Sequence, residues 1–253
     1  MTPPVALVPV DPRIMSSYQT SGGTGGKRET LIPLSRLGKA GIATPAAAAA
    51  LLQLHDAVTA AGGDFRVTEL HRDVAVQAKA RELYEKGIKK AFVALPGRSN
   101  HNAGRAIDIH ISELKFPGVA PDKQLDKLWE VAVPIGWSPI IKAPSESASE
   151  SWHFDFWDDM RVVYNRLGYE QGAFAGALLV GHAGPGTSYA SVLQALLSRA
   201  GLYLGKIDGI AGNNTIHALA TGYAVDTATA GRLIAAEDTS VFARLLTLPP
   251  GTK

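Results

Sequence analysis

Between Ser99 and His110 the chain reads SNHNAGRAIDIH, with a histidine at 101 and an aspartate at 108. Both side chains could serve a metal or a substrate. The chain has no cysteine, so a zinc site would have to be built from histidine and carboxylate. A catalytic zinc takes three protein ligands and keeps a fourth position for water. The segment RAIDIHI alternates like a strand, placing Ile107, Ile109 and Ile111 on one face and Asp108 and His110 on the other. A third ligand should then lie on a neighbouring strand facing the same way. SWHFDFW supplies His153, with Phe154 and Phe156 turned to the opposite side. Glu150 precedes His153 by one short step, where a carboxylate can take a proton from water and hand it to a leaving group.

Other polar residues near this set have two readings each. His110 shares the face of Asp108, as a site residue or as a satisfied neighbour. Trp152 either lines a substrate cleft or packs. Asp155 either orients a ligand histidine or sits at the surface.

The elements that must hold these residues follow from periodicity and caps. Leucines and alanines recur at helical spacing from Thr44 to Ala61, DFRVTEL alternates, and Asp73 to Gly87 reads as a capped helix. A helix from about Asp122 to Val133, a strand WSPII, the loop KAPSESASE and a helix from Asp158 to Leu167 complete this part. Residues 1–40, rich in proline, glycine and serine and including SGGTGGK, are expected to form an extended, wrapping arm. AGPGTS at 183–188 reads as linker. Beyond it, two amphipathic helices are expected around the turn KIDGIAG. The expected division is an arm at 1–40, a catalytic domain at 41–170, a linker at 171–186 and a small helical domain at 187–250. The fold class is α+β, a small antiparallel sheet with flanking helices, plus a small all-α C-terminal module.

Composition narrows the function classes. The net charge of the 253 residues is +2, which argues against a dedicated nucleic-acid binder. The alanine-rich run at 46–54 and FAGALLVG are too short to span a bilayer, so no membrane insertion is expected. The opening MTPPVALVPVDPRIM lacks the basic lead and apolar core of a secretory signal. A monomer is expected.

SNHNAGRAID fits S-x-H-x-x-G-x-A-x-D and ESWH fits E-x-W-H. In this order the two resemble the zinc D-alanyl-D-alanine peptidases, a family of carboxypeptidases, dipeptidases and L-alanyl-D-glutamate endolysins with a hedgehog-like fold. The resemblance runs over roughly 44–168. It implies zinc (Zn2+) held by His101, Asp108 and His153, Glu150 as general base, Arg72 on the oxyanion and Ser99 on the substrate peptide. TELHR departs from the family's usual S-G-Y-R before the arginine, with Glu69 and His71 in those places. LQALLSRAGLYLGKIDGIAGNNTIHAL is similar to the small peptidoglycan-binding domain, with Asp208, Gly209, Gly212 and Thr215 at the turn and next helix start. The usual phenylalanine-glutamine ending is missing.

The two resemblances imply a zinc peptidase cutting a stem-peptide bond of peptidoglycan, with peptidoglycan as partner. Which bond is cut stays open, because no carboxylate anchor is visible in the sequence. A cell-wall substrate without a visible signal suggests a phage lysin or a dedicated export route, acting in the periplasm or outside the cell. The alternatives are a non-catalytic wall-binding protein on the same fold and a zinc-stabilised interaction module.

Overall fold

A computed structural model describes residues 1–16, 41–90 and 92–251. The SGGTGGK run lies outside the described residues. Local signals start the main helices where the sequence places them. The Thr44 side chain accepts the Ala47 amide at 3.4 Å and Pro45 fills the first turn of helix Pro45–Ala60. Asp73 likewise accepts the Ala75 amide at 2.8 Å ahead of helix Val74–Glu85.

Four short strands form one antiparallel sheet. We label them β3 (Val67–Glu69), β4 (Ala106–Ile109), β5 (Trp137–Pro139) and β6 (His153–Phe156), after the small N-terminal pair β1 (Val8–Pro9) and β2 (Ile42–Ala43). Their order is β3-β4-β6-β5. One face, with Ile107, Ile109 and Phe154, closes on Leu51, Leu54 and Val58 of the first long helix and on Leu125 and Leu128 of helix Gln124–Ile135. Each such side chain, once buried, contributes about 1.5–3 kcal/mol. The alternation read through Ile111 ends sooner in the fold. Strand β4 stops at Ile109, and Ile111–Glu113 is a 3-10 turn. Its preceding residue, His110, still pairs its amide with the Arg66 carbonyl at 2.9 Å.

The described N-terminal residues include the short helix Pro12–Ser16 and make contacts with the body. Strand β1 pairs with β2, and the Val5 amide donates to the Leu179 carbonyl at 2.9 Å. Leu7 lies over Gly104, where an added Cβ would come within 2.6 Å of its methyl.

The C-terminal half is helical. Helices Arg161–Leu167, Tyr169–Leu179 and Tyr189–Arg199 are followed by Asn213–Tyr223, Thr227–Ala235 and Ser240–Thr247. The sequence reading had two helices beyond the linker; the described residues there form four. The last two are short and each is set off by polar residues, Asp226 before one and Asp238 before the other, which weakens their periodic signal. FAGALLVG belongs largely to helix Tyr169–Leu179, whose residues from Gly172 onward are all buried. Among the described residues no helix is long and apolar enough to cross a membrane. Gln194 organises the KIDGIAG turn. Its amide nitrogen donates to Asp208 at 2.8 Å and to the Ile210 carbonyl at 3.0 Å, while its oxygen accepts from the Gly209 amide at 2.9 Å.

These helices share a core with the residues beside the sheet. Leu193, Leu196 and Leu197 join Val163, Leu178 and Ala103 in one buried cluster. A buried ion triad fastens the same junction. Asp159 accepts from Arg105 at 2.8 Å and from Arg199 at 2.5 Å, with the two arginines only 4% and 8% exposed. Removing the shared carboxylate would strand two buried guanidinium groups. Asp159→Ala should therefore lose about 3 kcal/mol of stability, read as a lower denaturant midpoint in equilibrium unfolding; a loss of less than about 1 kcal/mol would show that the triad does not fasten the junction.

Candidate metal centre

Strand register brings two of the three proposed ligands together. Asp108 on β4 lies directly opposite His153 on β6, and Ile107 opposite Phe154 on the core side. Asp155, two residues beyond His153, shares its face and is fully buried. His101 comes from the turn before β4. Its position is fixed by Nδ1–H donating to the Leu70 carbonyl at 2.6 Å, which leaves Nε2 as the free acceptor nitrogen. That nitrogen is buried and has no hydrogen-bond partner. It stands 3.3 Å from the Asp108 carboxylate.

His153 is held from its far side. Its Nε2 meets Asp155 at 2.9 Å and its Nδ1 points at Asp108, also at 2.9 Å. One donor atom from each of His101, Asp108 and His153 lies within 4.8 Å of the other two. Two imidazole lone pairs and a carboxylate converging in this way, one of them orphaned, suit a zinc-type ion. Electrostatics agree with a site built for positive charge. Burial alone would raise the Asp108 carboxyl, but His101 and His153 hold it far below the carboxylate range. Burial opposes the protonation of His153, yet Asp155 and Asp108 keep its pKa well above the ordinary value.

The cluster forms one wall of a cavity of about 850 Å³, also lined by Arg72, Ser99, Glu150 and Trp152. His101, Asp108, His153, Arg72, Ser99, Glu150 and Trp152 therefore share one space. Glu150 has a left-handed backbone (φ +69°), uncommon for a residue other than glycine, and its carbonyl accepts the His153 amide at 3.1 Å. This tight turn lets a residue three positions before a ligand reach into the same cavity. Ser99 accepts the His101 amide at 3.3 Å, so it shapes the ligand turn as well as lining the cavity. Trp152 is half-buried and packs against the sheet's core while its edge lines the cavity. His110 reaches the rim, with its ring near the Ser112 hydroxyl at 3.3 Å.

Arg72 is held more firmly than its spacing suggested. Its Nε donates to Glu69 at 2.6 Å, a second nitrogen donates to the other Glu69 oxygen, and Nη1 donates to Gln77 at 2.7 Å. The Glu69 of TELHR, a departure from the usual pattern, is thus the partner that orients this arginine. Burial raises the Glu69 carboxyl, but Arg72 and His101 bring it below its ordinary value. Asn102, one of several polar residues in SNHNAG and unmarked by motif reading, joins the two halves. Its Nδ2 donates to the Arg72 carbonyl at 2.6 Å, and its oxygen accepts the Gly97 amide at 3.1 Å.

Residues 42–159 match the family profile described as VanY, D-alanyl-D-alanine carboxypeptidase. No curated protein sequence matches the chain significantly. Among solved structures, the chain is similar to the LdcB LD-carboxypeptidase, at 23% identity and TM-score 0.38, over 59% of this chain and 67% of that one. It is also similar to the L,D-carboxypeptidase DacB of Streptococcus pneumonia, at 20% identity and TM-score 0.34, over 55% and 84%. A third is the vancomycin-resistance D,D-pentapeptidase VanY of a VanB-type cassette, in complex with Zn(II), at 18% identity and TM-score 0.34, over 60% and 86%. The matched segment contains every site residue discussed above from Glu69 to Asp155, and over residues 42–159 the chain matches the D-alanyl-D-alanine carboxypeptidase family.

Proposed function

We propose that the chain is a zinc-dependent peptidase that hydrolyses a peptide bond in the stem peptides of peptidoglycan. The observation that carries this reading is the convergence of His101, Asp108 and His153 beside Glu150 in one cavity. His101 through Nε2, Asp108 through its carboxylate and His153 through Nδ1 would hold the ion. Bound zinc supplies a water of pKa near 7 and polarises the scissile carbonyl.

The chain's own groups do the rest. Glu150 takes the proton of the attacking water and passes it to the departing amine. Arg72, fixed by Glu69 and Gln77, donates to the oxygen on which negative charge develops. Ser99 and Trp152 contact the substrate peptide. Asp155 holds His153 in the tautomer whose Nδ1 lone pair faces the ion.

Residues 187–250 are proposed as a peptidoglycan-binding module, with 41–170 as the peptidase domain and 1–40 as an arm; the buried helix Tyr169–Leu179 occupies most of the span 171–186 read as linker. Support comes from the Gln194-centred turn at Asp208 and Gly209. The protein would act as a monomer on the cell wall, in the periplasm or outside the cell. Mass spectrometry of muropeptides digested with the purified protein identifies the bond; intact stem peptides after digestion with zinc-loaded protein would refute the peptidase reading.

Elemental analysis should find one zinc per chain, removable by chelator together with activity. Asp155→Asn should keep the fold but weaken zinc binding about 10–100-fold, measured by competition with a chromophoric chelator. An unchanged affinity would mean that Asp155 does not orient His153.

Burial pushes the Glu150 carboxyl above its ordinary range, opposed by His153 and His101 and reinforced by Asp108. Turnover should therefore rise with pH as Glu150 ionises. Glu150→Gln should lose about 10²–10⁴-fold in rate, retain zinc, and flatten that limb. The same shift has a sign for stability. A folded-state pKa above the unfolded one favours folding below the unfolded pKa, and that advantage is lost as pH rises through the folded pKa. Metal-free Glu150→Gln should accordingly be more stable than the parent at neutral pH and equal to it in acid, by denaturant unfolding.

A further inference from the structure

Helix Val74–Glu85 buries only Gln77 of its twelve residues. A helix packed on a core buries an apolar stripe, whereas this one is tied by polar bonds to the segment that follows it. Gln77 donates to the Ala94 carbonyl and Arg81 to the Val93 carbonyl, each at 2.7 Å. The amides of Ile88 and Lys89 both donate to the Leu83 carbonyl, at 3.0 and 3.1 Å. The Phe92 ring stands edge-on to Tyr84, with centroids 5.8 Å apart. Helix and segment thus form one lobe.

That lobe leaves large apolar side chains in solvent. Ile88 is 66% exposed and Phe92 64%. Val76 and Leu95, each next to a partner in the Gln77–Ala94 bond, are exposed too. Apolar surface gathered in this way and rimmed by charge marks a contact site.

The charge around it has one sign. Between residues 74 and 95 five basic residues stand against two acidic ones. Both carboxylates are already engaged, Glu82 with Lys79 and Lys86, and Glu85 with Arg81. Lys89 and Lys90 are exposed and have no ion-pair partner among the described residues. Ile88, Lys89, Lys90 and Phe92 therefore interleave bare apolar groups with uncompensated ammonium groups. The centres of protein–protein interfaces are depleted in lysine, and a soluble polyanion would leave Ile88 and Phe92 in water. An anionic lipid surface takes both features, its headgroups attracting the ammonium groups and its acyl boundary receiving the apolar side chains.

We propose that this lobe is a docking surface for an anionic phospholipid membrane, with Lys89 and Lys90 on the headgroups and Ile88 and Phe92 entering between them. Such a contact is shallow and needs no spanning helix, and there is none among the described residues. Lys89 and Phe92 also border the cavity, so docking brings the cavity to the lipid surface. The inference is independent of the peptidase reading, and its test uses no turnover.

The chain has no cysteine, so one introduced thiol reports one place. Ile88→Cys carrying an environment-sensitive fluorophore would be mixed with vesicles of phosphatidylglycerol and phosphatidylcholine, or of phosphatidylcholine alone. Its emission should shift to the blue on the anionic vesicles only. Leu204→Cys, at a site 72% exposed outside this lobe and labelled in the same way, should not shift. In flotation of unlabelled protein with the anionic vesicles, Lys89→Gln with Lys90→Gln should weaken binding about 25-fold, about fivefold for each charge near such a surface. Arginine at both positions should restore it. Phe92→Ser should weaken binding about tenfold. These are surface changes, and the unfolding midpoint should stay in place.

Absence of vesicle binding at low salt, equal binding to the neutral vesicles, or a shift from both labels would overturn the proposal. So would binding that ignores Phe92→Ser and is competed away by polyphosphate, which would assign the lysines to a soluble polyanion instead.

Discussion

Asp108 lies directly opposite His153 across two antiparallel strands, and a slip of one residue by either strand would turn its side chain into the apolar core. Ile107 and Phe154, fully buried on the other face, oppose such a slip, because it would bring them out to the polar side. The hydrophobic pattern that closes the sheet on its helices is therefore also what aims a carboxylate and an imidazole at one point. Asp155 needs no separate device: strand geometry puts it on the same face as His153 and within hydrogen-bond distance of it. The strands are only three or four residues long, so side-chain packing has to define this register in place of long ladders.

Around that pair, polar side chains do the work that secondary structure leaves undone. His101 and Arg72 sit in irregular backbone. Leu70 fixes one, Glu69 and Gln77 fix the other, and Asn102 ties the two turns together. Networks of this kind are stiff when every member is satisfied, which suits groups that must meet a substrate with little reorganisation. The strained backbone of Glu150 belongs to the same design, since a residue held at positive φ persists only where its surroundings determine it.

The candidate site residues are legible in the sequence because they carry spacing. Alternation in RAIDIHI and SWHFDFW gave the facing of Asp108 and His153, and Thr44 and Asp73 marked helix starts that the fold uses. What escaped was tertiary. Glu69 reads as a mismatch in TELHR until its contact with Arg72 is seen, and Asn102 and Gln77 have partners many residues away or on other elements. The end of β4 was overrun because Ile111 continues the alternation while its backbone already turns. The C-terminal helices were undercounted because polar caps break a short apolar period.

The turn that carries His101 is closed by segments from far along the chain. Gly97, with φ +73°, lies so close to Ala183 that an added Cβ would sit 1.9 Å from its carbonyl oxygen. The rings of His71 and His182 meet nearby, with nitrogens 2.5 Å apart. Arg105, inside the same run, is neutralised through an aspartate shared with Arg199. Synthesis proceeds from the N-terminus, and domains fold as their residues emerge. The stretch from 97 to 105 thus remains unsealed on the ribosome until residues 182–199 have been made. The order of translation itself delays completion of the cavity, and a chain cut short before that point would leave this turn without its cover.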